Sequence, residues 1–237
     1  MTGTLYLIPA ALGEVPWSGY LPAETQAIAC RLARFIAENA KTARAELKRL
    51  GHPLPLRDIA IEQLPEQLVP DDIDRLLAPL LAGDEVGLLS EAGCPAVADP
   101  GARIVRRAHE LDIRVKPLVG PSSLLLALMA SGLEGQRFAF HGYLPVREPE
   151  RSRRIRELER ESASRKQTQM FIETPYRNSS LLASLLATCH PATRLSIAVD
   201  LTLPTEQVIS GSVANWQRRP GPDLERRPAV FLLLSEN

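Results

Sequence analysis

The chain is poor in most of the features that mark simple functional classes. Only three cysteines, Cys30, Cys94 and Cys189, occur in 237 residues. They are too few and too scattered for a disulfide framework, so a reducing, cytoplasmic setting is expected. The four histidines, His52, His109, His141 and His190, do not cluster with cysteines at ligand spacing, and no metal site is expected. No apolar run approaches the ~18 residues of a membrane-crossing helix. The opening MTGTLYLIPA has no basic region of the kind that begins a secretory signal. No G-x-G-x-x-G follows the first β-rich run, and neither G-x-x-x-x-G-K-[ST] nor G-x-S-x-G occurs. The usual dinucleotide cradle, the phosphate loop and the serine-nucleophile elbow are therefore all missing. Net charge is absent too, with 28 basic and 28 acidic side chains.

What remains is the profile of a folded protein. Apolar residues make up 45% and charged residues 24% of a 26.0 kDa chain, enough for one large or two modest domains. Charge is uneven along the chain. Residues 1–140 carry 14 basic and 17 acidic side chains, and residues 141–237 carry 14 and 11. The basic excess lies between Arg147 and Lys166, with Arg151, Arg153, Arg154, Arg156, Arg160 and Arg165 among five glutamates. That segment reads either as a solvated helix laced with Arg/Glu pairs or as an anion-facing surface.

Short β-rich runs alternate with helical patterns. Thr4 to Ile8 is the first strand. Ile28, Leu32, Phe35 and Ile36 recur at helical spacing after Pro22. Asp71 and Asp72 open a helix with Ile73, Leu76, Leu77, Leu80 and Leu81 on one face, which Pro79 would kink or shorten. Glu85–Ser90 reads as a buried strand, Ile104 to Leu111 as a helix, and Arg114–Val119 as a strand leading to a helix near Ser122. This alternation predicts a mostly parallel sheet covered by helices, with ligands at the strand carboxyl ends. The second half differs. Strands are predicted at Phe138–Leu144 and Gln169–Glu173, a charged helix over 149–163 and another through Leu181 to Leu186. Three further strands, Leu195–Leu201, Glu206–Ser210 and Ala229–Leu234, follow with short connections that favour antiparallel pairing. The expected fold is α/β in two domains. Residues 1–118 form a mostly parallel βα domain and 119–237 a mixed one, with the working cleft between them. Residues 218–228 read as an exposed loop.

Three loops carry the chemistry. Ser90–Gly101 (SEAGCPAVADPG) follows a buried strand and combines two glycines, two prolines and three carboxyl-bearing or hydroxyl side chains. Asp99 would cap the next helix or meet a ligand, and Glu91 with its neighbouring backbone faces a ligand. In Val119–Ser123 (VGPSS), Ser122 would cap a helix, hold a polar ligand, or do both. In Glu173–Arg177 (ETPYR), Arg177 is a candidate anion clamp, while Thr174 and Pro175 equally suit a helix start.

Taken in order, these loops resemble the tetrapyrrole-methylase superfamily of S-adenosylmethionine-dependent methyltransferases, most nearly its 16S rRNA cytidine 2′-O-methyltransferase branch. That branch reads S-D-A-G-T-P-x-x-x-D-P-G where this chain has SEAGCPAVADPG. Its G-P-S, G-[FY]-L-P and E-x-P-x-R are matched by Gly120-Pro121-Ser122, Gly142-Tyr143-Leu144-Pro145 and Glu173/Pro175/Arg177. The likeness spans almost the whole chain. It implies a homodimer that binds S-adenosylmethionine largely through backbone groups. The implied contacts are Ile8 and Pro9, the loop residues Glu91, Ala92, Gly93, Cys94 and Val97, then Ser122 and Ser123, and finally Glu173 and Thr174. Glu91, Glu173 and Arg177 are the expected catalytic residues, and Glu38, Lys41, Glu91 and Glu173 are candidates for a general base.

Several positions depart from the branch pattern. Pro9–Glu14 (PAALGE) replaces T-P-x-G-N, Glu38–Lys41 (ENAK) replaces E-D-T-R, and Val199–Leu203 (VDLTL) replaces R-E-L-T-K. The last removes two ionic groups from an expected substrate surface, which points to a paralogous branch. The resemblance implies an RNA methyltransferase acting at a ribose hydroxyl. Net neutrality and few aromatics leave two alternatives: methylation of a small molecule such as a tetrapyrrole, or a non-catalytic donor-binding module.

Overall fold

The computed structural model describes residues 2–236, which form two compact units divided between Ser122 and Ser123. In the first unit, strands β1 (Thr4–Ile8), β2 (Arg34–Ala37), β3 (Ala60–Gln63), β4 (Val86–Leu89) and β5 (Arg114–Pro117) form one sheet in the order β3-β2-β4-β1-β5. Every pairing in it is parallel. Helices α1 (Ala23–Arg31), α2 (Ala40–Arg49), α3 (Pro70–Leu81) and α4 (Gly101–Glu110) make the crossovers.

The three central strands, β2, β4 and β1, are buried on both faces and read as nearly continuous apolar runs, while the edge strands β3 and β5 are half-exposed. Leu5, Leu7, Ile36, Val86 and Leu88 pack against Ile73, Leu76, Leu77 and Leu80 of α3 and Ile104 and Ala108 of α4. Tyr6, Ile8, Phe35, Ala37 and Leu89 face Ile28 and Ala29 of α1 and Ala43 and Leu47 of α2. Phe35 and Ile36 thus point to opposite faces of β2, which corrects the helical reading of those two residues. The helix stops at Arg31, and Leu32 is already extended. Four buried residues at i, i+4, i+7 and i+8 fit a helix face as well as the end of a helix followed by a two-sided strand. Elements α2 and β3 have no counterpart in the elements predicted from the sequence. Pro79 is accommodated within α3, which ends two residues later. At the other end of α3, the Asp72 carboxylate accepts the Val69 N–H at 3.4 Å.

The second unit holds β6 (Phe138–Tyr143), β7 (Thr168–Ile172), β8 (Arg194–Val199), β9 (Gln207–Ser212) and β10 (Ala229–Leu234) in the order β6-β7-β10-β8-β9. β6 and β7 are parallel and all other pairings are antiparallel. Helices α5 (Ser123–Ser131), α6 (Glu150–Arg165), α7 (Asn178–Thr188) and the single turn α8 (Val213–Trp216) complete it. β10 lies centrally and is buried along its whole length. Its Phe231 stands opposite Phe171 on β7, the rings parallel to within 6° with centroids 6.0 Å apart. Ile155 and Leu158 of α6 and Leu181 and Leu185 of α7 close over them. The 218–228 loop is mostly exposed but sinks Leu224 into this core.

Truncating Phe231 to alanine would empty the centre of the second unit. We expect Phe231→Ala to cost about 3–5 kcal/mol in urea unfolding, with the slope unchanged.

Candidate functional site

Because all five strands of the first sheet are parallel, their carboxyl ends share one edge. The loops that leave it after β1, β4 and β5 are tied to one another. Ala10 and Gly93 exchange both backbone hydrogen bonds, at 2.9 and 3.1 Å, across an isolated antiparallel bridge. The Cys94 thiol donates to the Pro121 carbonyl at 3.3 Å. Gly120 abuts Pro9 so closely that an added Cβ would lie 2.3 Å from the proline Cβ. The Thr25 hydroxyl donates to the Val119 carbonyl at 2.9 Å. Ile8, Pro9, Gly93, Cys94 and Ser122 therefore belong to one set of joined loops, with Glu91, Ala92 and Val97 exposed on the β4 loop.

The β4 loop is internally stapled. Its Asp99 carboxylate accepts the N–H groups of Ala96, at 2.9 and 3.0 Å, and of Gly101, at 2.7 Å. Asp99 thus holds the first residue of α4 and its own loop together. Gly93, Ala96 and Ala98 have φ of 70°, 66° and 62°. Glycine adopts that region freely, but each alanine there costs about 1 kcal/mol or more, so the surrounding bonds must over-determine the loop.

Glu38 follows β2 on the same edge. Its Oε1 is buried with no partner among the described residues. Burial, reinforced by the charges of Asp99 and Glu91 against a weaker pull from the Glu91 N–H, pushes its carboxyl above the ordinary range. A partly desolvated acid with an unclaimed oxygen at a strand end is a functional-site signature. Lys41 lies one turn away, exposed on α2.

Ser123 begins α5 in the second unit, and Glu173, Thr174 and Arg177 follow β7 there. The Glu173 side chain has no exposed surface and receives Arg177 Nη2 at 2.7 Å and the Thr174 N–H at 2.7 Å. Burial raises its pKa, but these two donors outweigh that and hold the carboxyl below the usual range. The Thr174 hydroxyl donates to Glu173 Oε1 at 3.3 Å and caps nothing, while Pro175 starts a single 3-10 turn, Pro175–Arg177. Arg177 is therefore committed to Glu173 and also lies over the exposed Tyr176 ring, 5.7 Å from its centroid.

Sequence reasoning reached Asp200 and Thr202 only as part of the altered R-E-L-T-K segment and missed Asn178, Thr205 and Arg227. Asp200 Oδ2 accepts Arg227 Nε at 2.8 Å and the Thr205 hydroxyl at 2.7 Å, and the Arg227 carbonyl accepts Asn178 Nδ2 at 2.7 Å. Antiparallel pairing brings them together: Val230 stands opposite Ile172, and Ala229 opposite Val199. Pairs separated by 27 and 49 residues leave no local signal. Glu173 Oε2, Arg177 Nε, Asn178 Oδ1 and Thr202 Oγ1 are all buried without partners among the described residues. Buried polar atoms left unclaimed at one rim invite a polar ligand.

The sequence profile of the Tetrapyrrole (Corrin/Porphyrin) Methylases matches residues 26–216. The chain belongs to the tetrapyrrole methylase family. It is thus a methyltransferase, of a family that generally uses S-adenosylmethionine. Among related proteins, the Ribosomal RNA small subunit methyltransferase I of Xylella fastidiosa (strain Temecula1) is 32% identical over 98% of this chain and 81% of its own. The protein of the same name from Pasteurella multocida is 27% identical, over 100% and 80%. The crystal structure of the methyltransferase CobJ aligns over 99% of this chain and 95% of its own, with a TM-score of 0.62 at 17% identity, and so shares the methylase fold. Among the described residues, no helix is long and apolar enough to cross a membrane.

Two outcomes test this geometry. Glu38→Gln removes a carboxylate that is harder to ionise folded than unfolded. Below the ordinary value of 4.5 both states are protonated and no penalty exists; the penalty grows as pH rises toward the folded value. The variant should therefore match the parent in thermal unfolding at pH 4 and melt at a higher temperature than the parent at pH 7. Gly120→Ala forces the β1 and β5 loops apart and should cost about 1–3 kcal/mol in denaturant titration.

Proposed function

We propose that this chain transfers a methyl group from S-adenosylmethionine to RNA, at a ribose 2′-hydroxyl. The observation that carries the acceptor is the relative from Xylella, a ribosomal RNA methyltransferase by name, matched across 98% of this chain. The 2′-oxygen rests on the branch resemblance of the SEAGCPAVADPG loop. A homodimer in the cytoplasm belongs to the same reading, in keeping with three unpaired cysteines.

The residues present fit the donor. It carries positive charge on its sulfonium and ammonium groups and hydroxyl donors on its ribose. The first rim offers the Glu38 and Glu91 carboxylates, with Glu38 Oε1 unclaimed, and a backbone fixed by the Ala10–Gly93 bridge. Ile8, Pro9, Glu91, Ala92, Gly93, Cys94, Val97 and Ser122 are the proposed contacts there. Glu173 and Thr174, with Ser123, carry proposed ligand contacts of their own in the second unit, where Glu173 Oε2 is free to accept. When bound, S-adenosylmethionine supplies an already activated methyl group, so the protein's tasks are alignment and proton removal.

A hydroxyl that accepts a methyl group must lose its proton. Glu38, with its raised carboxyl pKa, is better matched to that task than Glu173, which Arg177 keeps ionised at low pH. Glu91 is proposed to orient a ligand from the same rim, and Arg177 to fix Glu173.

Labelled donor incubated with small-subunit ribosomal RNA should leave label in a nucleotide whose 3′ linkage resists alkali, since a methylated 2′-oxygen cannot attack it. Label appearing only in small metabolites would reject the acceptor. Glu38→Gln should lower kcat about 100-fold or more. An unchanged kcat would remove Glu38 as the base.

A further inference from the structure

Helix α6 sorts its charges. Its inner face is Arg151, Ile155, Leu158 and Ser162, all buried. Arg151 pairs with Glu148 at 3.0 Å and reaches the Ser180 hydroxyl. Arg154 is shared between Glu157, at 3.2 Å, and Glu161, at 3.6 Å, and also meets the His141 ring. Glu159 accepts the His190 N–H at 2.7 Å and the Thr193 hydroxyl. These acids are therefore committed on the flanks of the helix or to the loop at residues 190–193. Glu150, in the first turn, is the one acid of α6 without an ion pair or hydrogen bond to another described residue, and it sits where the helix dipole favours a negative charge.

What remains on the outward face is arginine. At about 100° per residue, Arg153, Arg156 and Arg160 fall within an arc of about 60° opposite the buried face. All three are exposed, and none forms an ion pair among the described residues. They span about 10 Å along the axis, the length over which a nucleic-acid strand offers about three phosphates. Arg147, before the helix, and Arg165 and Lys166, at its end, are also exposed but lie off this arc. Holding unpaired like charges on one face costs stability unless an anion meets them. No apolar side chain lies on this arc to enter a lipid surface, because Ile155 and Leu158 are spent in the core. Guanidinium groups suit paired contact with phosphate oxygens.

We propose that the outward arginines of α6, Arg153, Arg156 and Arg160, form a docking stripe for the RNA phosphate backbone. The proposal rests on RNA being the acceptor. The stripe supplies affinity and register, not base identity.

The test uses the full chain and three variants: Arg153→Gln/Arg156→Gln/Arg160→Gln, the same three positions changed to Lys, and a control, Arg57→Gln/Arg106→Gln/Arg114→Gln. Filter retention of small-subunit ribosomal RNA is measured between about 50 and 200 mM salt, beside calorimetric affinity for the demethylated donor. We expect the stripe glutamine variant to bind RNA at least about tenfold more weakly at low salt. Its slope of log affinity against log salt should fall by about 2–3, with donor affinity unchanged. The lysine variant should keep most of the slope, and the control should behave as the parent. Equal RNA binding by parent and stripe variant would overturn the stripe and leave the RNA reading standing. A parent that binds donor but no RNA would overturn both. Binding of the parent to phosphatidylserine vesicles instead of RNA, abolished in the stripe variant, would assign the stripe to a membrane surface and overturn the proposal.

Discussion

The pair of backbone hydrogen bonds between Ala10 and Gly93 is the interaction on which the first rim depends, because it joins the loops of adjacent strands β1 and β4 just beyond the sheet. Parallel strands deliver loops to a common edge but leave them free to splay apart. Here the bridge, the Cys94–Pro121 hydrogen bond and the Gly120–Pro9 approach hold three loops in one arrangement. The conformational cost of ordering them is met in folding and need not be met again on binding. In the proposed reading, a rim with no glycine-rich phosphate fingerprint is thereby pre-ordered for main-chain contacts to a nucleoside.

Strain and satisfaction are distributed unevenly over the two rims. In the first unit, Ala96 and Ala98 occupy left-handed backbone, and Asp99 compensates by accepting N–H groups from both ends of the turn. Asp99 is thereby consumed in structure, and Glu38 is left with an unclaimed oxygen. In the second unit the division is the same in kind. Arg177 and Thr174 satisfy one oxygen of Glu173 and leave the other buried and unpaired. Each rim pairs a fully used carboxylate oxygen, which fixes geometry, with an unused one that is costly until a ligand supplies a donor.

The sequence was most legible where one local pattern determined one element. The alternation of apolar strands with helices exposed the parallel sheet, and the SEAGCPAVADPG loop stood out because its glycines, prolines and carboxylates are contiguous. It was misleading at Ile28–Ile36, where a strand buried on both faces has no polar alternation to distinguish it from a helix face. It placed Asp200 only within the altered R-E-L-T-K segment and was silent on Asn178 and Arg227, which antiparallel register brings beside it. The methylase resemblance supplied the expected ligand positions at Ile8 and Pro9, since nothing about an isoleucine–proline pair announces a ligand.

The change from R-E-L-T-K to Val199–Leu203 has a physical basis in the second unit. Asp200 stands at the acidic position but is nearly buried, and its charge is answered by Arg227, 27 residues downstream. A guanidinium supplied from another loop balances that acid without an adjacent basic residue, so the ionic balance of the rim survives while its local motif disappears. The flanking Val199 and Leu201 instead join the buried face of the second sheet or its margin. With no basic residue on either side of Asp200, this loop offers two cations fewer to a phosphate, and the unpaired arginines on the outer face of α6 hold positive charge elsewhere in the same unit. Under the proposed RNA reading, attraction to a polyanion depends on the number of phosphates neutralised more than on which element neutralises them.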